Sequence, residues 1–395
     1  MLKKISKHIG LGPIGTLEMI LALAIILSRY NLLGIPFSFL SVIIMIIIAF
    51  KRGGRIKFSS NKALTYLFIF YIVHDFAWLF IAENTPHYFY NQRITLYTTF
   101  LSIFLIYHAV DKEKLYNSIN WVALISIIGL IYHCIEISQG KLIEPLNILP
   151  FNINRAEAYE LLYRPTSFFS EPQSYVSFMI IPLFIALTQK KYVWACIISL
   201  SILLSTSSTG VLLVCVIFIT HIFTHKMSYK KKAIIILSCI CVAFAYLNLD
   251  YFSQGRDKME TQDYSTNIRL QTGLIAFQEM AEIDYVLGVP YTVPIDYIKS
   301  VGLASKGGGF DTDNNYVFLP TFWYYIIMFG FIGLFLFLNV YYRLLKFNKE
   351  LLPFIACLVC VMFSNSDTIS IVYLLNVTFM LVFVNNNHNK KINQL

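Results

Sequence analysis

Long apolar blocks alternate with short basic connections along most of this chain. A helix needs roughly 20 apolar residues to cross a hydrocarbon core, with a range of about 17–25. Twelve segments meet or approach that length: 13–29, 33–50, 63–82, 94–110, 116–137, 173–189, 192–205, 208–224, 233–249, 316–342, 350–366 and 368–384. The shortest is 192–205, and Glu18 interrupts the first. This pattern predicts an all-α integral membrane protein of about 12 transmembrane helices, forming one polytopic domain over 1–395.

Two stretches break the rhythm, 138–172 and 250–315, which together are rich in Arg, Glu, Asp, Asn, Tyr and Gly. Loops of that length are uncommon in a compact protein unless they have a task. Within the second, Leu270, Leu274, Phe277 and Ala281 recur at helical spacing. They predict a short amphipathic helix over 267–283, lying on the membrane surface or capping a cavity, with Arg269 at its start.

The basic residues test the segment count independently. With the N-terminus in the cytoplasm and the connections alternating, every short inward connection is basic. Lys51, Arg52 and Arg55 mark one, Lys190 and Lys191 another, Lys230, Lys231 and Lys232 a third. Most of the 31 Lys and Arg fall on that side, whereas the short outward connections hold only Arg29 and Arg93. This bias predicts that both termini are cytoplasmic and that both long loops lie on the opposite face. Lys3, Lys4 and Lys7 resemble a signal-peptide start, but no clean small-x-small cleavage site follows, so an uncleaved first helix is expected.

Composition agrees. The chain is 57% hydrophobic and 13% charged, against about 45–50% and about 25% for a soluble domain. The net charge of +9 faces anionic lipid on this reading, so no nucleic-acid partner is expected. All seven cysteines fall inside apolar blocks, which excludes a disulfide framework in the loops. Cys357 and Cys360 form a CxxC within such a block and are read as packing residues.

Candidate chemistry concentrates in the long loops. The first ends in Arg164-Pro165-Thr166-Ser167-Phe168-Phe169-Ser170-Glu171-Pro172. Pro172 suits the first turn of a helix, which places Glu171 at its mouth. Glu171 is then either a helix cap, with Arg164 an interfacial anchor, or a reactive carboxylate. Arg269, at the start of the amphipathic helix, opposes that helix's dipole unless an anion binds there. Arg256 is read either as part of such a site or as solvated loop charge. Before the tenth segment comes Lys306-Gly307-Gly308-Gly309-Phe310-Asp311-Thr312-Asp313-Asn314-Asn315-Tyr316. Asp311, Asp313, Asn314 and Asn315 suit sugar hydroxyls or a cation. The run departs from an EF-hand, since the glycines precede it and no Glu follows, and no metal or other cofactor is expected. His74 and Asp75 lie inside the third segment, and Glu136 with His133 near the outer end of the fifth, where ionisable groups are functional candidates or paired structural ones.

Taken in order, these stretches resemble the O-antigen polymerase and ligase superfamily of bacterial inner-membrane proteins. The resemblance rests on Arg164 to Pro172, on Ser205-Thr206-Ser207-Ser208-Thr209-Gly210, on Asn267 to Phe277 followed by Gly288-Val289-Pro290, and on Asn314-Asn315-Tyr316 leading to Phe329-Gly330-Phe331-Ile332-Gly333. It covers about 160–340; the other helices match in hydropathy alone. Two departures stand out. Many relatives carry an arginine where Ser208 and Thr209 stand here, and ligases carry a histidine where this chain has Asp311 and Asp313. With no histidine in the second loop, a polymerase is expected over a ligase.

The resemblance implies an enzyme that joins undecaprenyl-diphosphate-linked oligosaccharide repeat units at the periplasmic face, with a chain-length regulator protein as a further partner. On that implication Arg164 and Arg269 form a diphosphate clamp, with Arg155 and Arg256 in support. Glu171 is then the base for the acceptor hydroxyl, with Asp311 or Asp313 second. The competing expectation is a polysaccharide flippase, which matches the segment count and the buried His74 and Asp75. It predicts a pseudo-symmetric pair of halves, whereas the long second loop is confined to one of them.

Overall fold

Each of the twelve apolar segments coincides with a helix. The computed structural model describes residues 11–32, 35–56, 58, 61–81, 87–149, 164–249, 272–289, 294–303, 310–311, 316–317, 319–364 and 371–392. The first five long helices are α1 (Thr16–Leu27), α2 (Phe37–Lys51), α3 (Lys62–Ile81), α4 (His87–Ala109) and α5 (Lys112–Ser138). After the first long loop come α6 (Pro172–Thr188), α7 (Tyr192–Leu204), α8 (Ser208–Thr224) and α9 (Tyr229–Asn248). The second loop carries three short helices, α10 (Gly273–Gln278), α11 (Asp284–Leu287) and α12 (Pro294–Ser300). Three long helices close the chain: α13 (Thr321–Phe347), α14 (Leu352–Ser364) and α15 (Ile371–Ile392).

Local chemistry sets the boundaries. Asp111 caps α5 by accepting from the Lys114 N–H, and Ser207 caps α8 by accepting from Gly210. Pro172 opens α6 in its first turn as expected. Extended chain is scarce: Asn31–Leu32 pairs antiparallel with Ile35–Pro36, and Phe310–Asp311 with Tyr316–Val317.

The C-terminal helices join the rest. α13 packs on α3, α14 on α8, and α15 on both α4 and α1. Aromatic side chains fill these seams, with Phe337 stacked on Tyr373 at 5.6 Å and Phe184 packed on Phe354 and Phe379. Cys357 is buried with its Sγ on the Leu213 carbonyl, a packing role.

The outside of this bundle is as apolar as its interior. On α9 alone, Ile234, Leu237, Ile240, Phe244 and Leu247 are exposed, and Phe76, Phe223 and Phe335 face outward elsewhere. Water would not tolerate so much continuous apolar surface. α5 and α13 are each long and apolar enough to cross a membrane unaided, and several shorter apolar helices surround them. The molecule is all-helical with the surface of a membrane protein.

Two expectations need correction. The amphipathic helix expected over 267–283 is helical only from Gly273 to Gln278 among its described residues; the chain turns after Glu279 and restarts as α11. Phe277 explains the turn, packing on Tyr285 at 4.7 Å and on Trp323 of α13 at 5.7 Å, so that both short helices fold onto α13. Arg93 lies inside α4, not in a connection, because α4 starts at His87 with polar turns that hydropathy does not reveal.

Candidate functional site

The first long loop is tied down at both ends. Arg29, buried just after α1, donates from Nη1 to the carbonyls of Leu146 and Phe168. Tyr30 OH accepts the Ile148 N–H at 2.7 Å, and the Leu146 N–H reaches the Ser167 carbonyl at 2.8 Å. Buried backbone donors need partners, and His133 of α5 supplies one for two of them. Its Nδ1 accepts from Thr166 N–H at 3.3 Å and Ser167 N–H at 3.2 Å. An accepting Nδ1 carries no proton, which fixes the tautomer. Ser167 itself sits at φ 57°, in left-handed backbone, a conformation costing roughly 1–2 kcal/mol for an L-residue. The surrounding hydrogen bonds hold it there.

This frame presents Arg164. Its Nε donates to Thr206 Oγ1 at 3.3 Å and its Nη2 to the Thr206 carbonyl at 3.0 Å. Thr206 lies in the break between α7 and α8, buried and at φ 56°, immediately before the Ser207 cap. The Arg164–Pro172 stretch and the serine-rich stretch of the sequence are thus brought together. Glu171 stands at the N-cap of α6 in extended backbone, but its side chain makes no capping bond. It is half-buried, and its position explains only its backbone, whose carbonyl receives Tyr175 N–H at 3.1 Å. Two residues on, Gln173 Nε2 donates to the Ser364 carbonyl at 3.1 Å, bringing the end of α14 to the start of α6.

The second loop meets the bundle through two glycines. Gly330 interrupts α13 at φ 62°, ψ −172°, and Gly288 follows α11 at φ 84°, ψ 165°. Both angles belong to a region essentially closed to other residues. A Cβ on Gly288 would overlap the Met328 carbonyl, and one on Gly330 would overlap that of Val286. The two backbones therefore interlock, and Val289 N–H donates to the Ile327 carbonyl at 2.8 Å. The Gly288-Val289 and Phe329-Gly330 motifs are one contact.

Behind that contact lies a buried charged group. Arg93 Nε is 3.0 Å from Asp75 Oδ2, which also accepts from Tyr97 OH at 2.6 Å. His74 Nε2 is 2.9 Å from the Leu287 carbonyl. All three ionisable residues are less than a tenth exposed. The Arg93 guanidinium sits 5.6 Å from the Phe329 ring.

Of the residues singled out in the sequence, Arg164 and Glu171 are described, and they bracket the same turn. Asp311 is described through its backbone, paired across to Tyr316. Arg155, Arg256, Arg269, Asp313, Asn314 and Asn315 lie outside the described residues. Sequence reasoning singled out His133 as an ionisable group within the fifth segment but missed the roles of Arg29 and Arg93 in building these sites. A signal was there for both, since Arg29 and Arg93 were the lone basic residues of the short connections expected to face outward. Among the described residues no group of three or more His, Cys, Asp or Glu side chains is arranged to hold a metal ion.

A cationic fork beside a helix start and a carboxylate with no capping duty, in an apolar helical bundle, suit chemistry on a lipid-borne anionic substrate. Comparison with curated proteins gives no match. A protein-family model, described as WcaD colanic acid polymerase, matches residues 11–387. With nearly the whole chain covered, this protein belongs to the WcaD colanic acid polymerase family.

Proposed function

We propose that this protein polymerises polyprenyl-diphosphate-linked oligosaccharide repeat units into a surface polysaccharide at the periplasmic face of the bacterial inner membrane. The observation that carries this reading is Arg164 fixed on Thr206, at the start of the stretch that ends in the non-capping Glu171, within a chain matched over nearly its whole length by a polysaccharide polymerase family. The basic inward connections support the orientation, with both termini cytoplasmic and 138–172 and 250–315 periplasmic.

The chemistry requires three things. The bond between the donor's anomeric carbon and the phosphate oxygen breaks, and the lipid diphosphate leaves with the electron pair. Cationic forks must meet that growing charge, and guanidinium matches phosphate oxygens bidentately. Arg164 and Arg269 take this role, with Arg155 and Arg256 in support. The acceptor sugar's hydroxyl oxygen forms the new bond to the anomeric carbon, and its proton passes to a carboxylate. Glu171 is that base, with Asp311 or Asp313 the second choice. Asn314 and Asn315 contact sugar hydroxyls. Apolar helix faces hold the polyprenyl tails, and a chain-length regulator is a partner in setting product size.

The test is a cell lacking the protein. Accumulation of single-repeat glycolipid with no polymer supports polymerisation. Accumulation of lipid-linked units facing the cytoplasm would instead identify a flippase.

A further inference from the structure

We propose that Asp75, Arg93 and His74 are positioning residues that set the depth at which the second long loop is seated in the break of α13. The seat is built from backbone. Gly288 and Gly330 interlock, and Val289 N–H holds the Ile327 carbonyl. Gly330 lies about 14 Å along α13 from its first residue at 1.5 Å per residue, so the Asp284–Val289 segment meets α13 well along its length, with Gly288 and Val289 buried and Val286 and Leu287 exposed. A seat made of two glycines is permissive and does not by itself choose a register.

The side chains behind it supply that choice. His74 on α3 points Nε2 at the Leu287 carbonyl, the last residue of α11. A carbonyl only accepts, so this bond needs the proton on Nε2. Trp78 Nε1 lies 2.6 Å from the same nitrogen, and its N–H is served only when Nε2 is bare. One nitrogen therefore holds the loop or the indole, not both. Asp75 stands on the other side of the ring, with Oδ1 3.9 Å from His74 Nδ1. The imidazole thus lies between a carboxylate, at a distance too long for a hydrogen bond, and the loop carbonyl it meets.

Asp75 is in turn fixed by Arg93 and Tyr97 from α4. Burying such a pair is costly and is retained where it specifies an arrangement. The Phe329 ring closes the assembly, within 5.1 Å of His74, 4.7 Å of Tyr71 and 5.6 Å of the Arg93 guanidinium. Any shift of the Asp75–Arg93 pair therefore moves both faces of the seat. The segment so anchored follows Arg256 and Arg269 in the same loop. Its functional consequence rests on the polymerase reading; its geometry does not.

The experiment is hydrogen–deuterium exchange on the full-length protein in lipid nanodiscs, reading peptides over 284–289 and, as a fold control, over α5. His74→Phe, Asp75→Asn and the exchanged pair Asp75→Arg with Arg93→Asp are compared with wild type and with Trp78→Phe. His74→Phe and Asp75→Asn are expected to speed exchange at 284–289 by on the order of tenfold or more while α5 stays protected. The exchanged pair restores most of the protection, and Trp78→Phe keeps it. Wild-type exchange in His74→Phe overturns the proposal, as does loss of protection in Trp78→Phe. Should Asp75→Asn fail to fold, with α5 exposed as well, His74→Phe and the exchanged pair decide. In cells, a loosened seat shortens the polysaccharide; a loosened seat with wild-type polymer overturns the positioning role. Absence of polymer from the wild type would instead strike the polymerase reading and leave the exchange rates, and what they say of the seat, unchanged.

Discussion

Arg164 grips Thr206 through Nε and Nη2 of its guanidinium, at 3.3 Å to the hydroxyl and 3.0 Å to the carbonyl. The contact joins the end of the first long loop to the start of α8 across 42 residues of sequence. It leaves the cation beside a helix N-terminus whose dipole also favours an anion.

Replacing Arg164 with Ala is expected to abolish long polysaccharide, and Lys is expected not to restore it, because a point charge cannot grip two oxygens in the fork geometry. Thr206→Gly should be mild, since it removes only the hydroxyl acceptor and relieves a left-handed backbone. Thr206→Ala keeps the strain and should lower protein stability by about 1 kcal/mol through the lost hydrogen bond. Polysaccharide ladders and thermal unfolding in detergent read the two effects separately.

Glu171 offers a sharper division between a cap and a reactive group. A capping side chain contributes about 1 kcal/mol to its helix, yet Glu171 makes no such bond. Glu171→Gln is therefore expected to leave the unfolding temperature unchanged and to end polymer growth. A lowered unfolding temperature with full-length polymer would return Glu171 to a structural role.

The glycine interlock predicts the opposite pattern. Gly288→Ala and Gly330→Ala each force a side chain into backbone angles costing about 1–3 kcal/mol, before the overlap with the facing carbonyl is counted. Both variants should unfold at lower temperature. Combining them should be no worse than the more severe single change, because either one already separates the same contact.

A fourth expectation lies far from these sites. Glu18, fully buried in α1, binds Arg52 at 2.6 Å and the Asp111 N–H at 2.9 Å, stapling α1 to two connections. Glu18→Gln keeps one acceptor but loses the charge, and should cost roughly 1–3 kcal/mol. Unfolding measurements should register that loss, while the polymer made per folded molecule stays at the wild-type level.

The helices were legible because membrane-length apolar runs admit little else, and each expected segment is helical. Their ends were less so. His87 to Gln92 extends α4 with a start that hydropathy misses, and this hid Arg93's place within the helix. The helix expected over 267–283 ends early, at Gln278, because Phe277 finds Trp323 and Tyr285, contacts that no local periodicity encodes. At the candidate site, motif order announced Arg164 and Glu171. It did not announce that His133 would supply an acceptor to two backbone donors or that Arg29 would hold Phe168, since both join residues distant along the chain. Gly288 and Gly330 were visible as motifs, but their mutual contact was not.

The most direct measurement supplies the purified protein, in liposomes, with polyprenyl-diphosphate-linked repeat units on the face opposite its basic connections. Wild type should build chains of several repeats and release one polyprenyl diphosphate for each linkage, and Arg164→Ala should do neither. Unchanged single-repeat lipid with the wild-type protein, or transfer of that lipid between leaflets without new glycosidic bonds, would contradict the account.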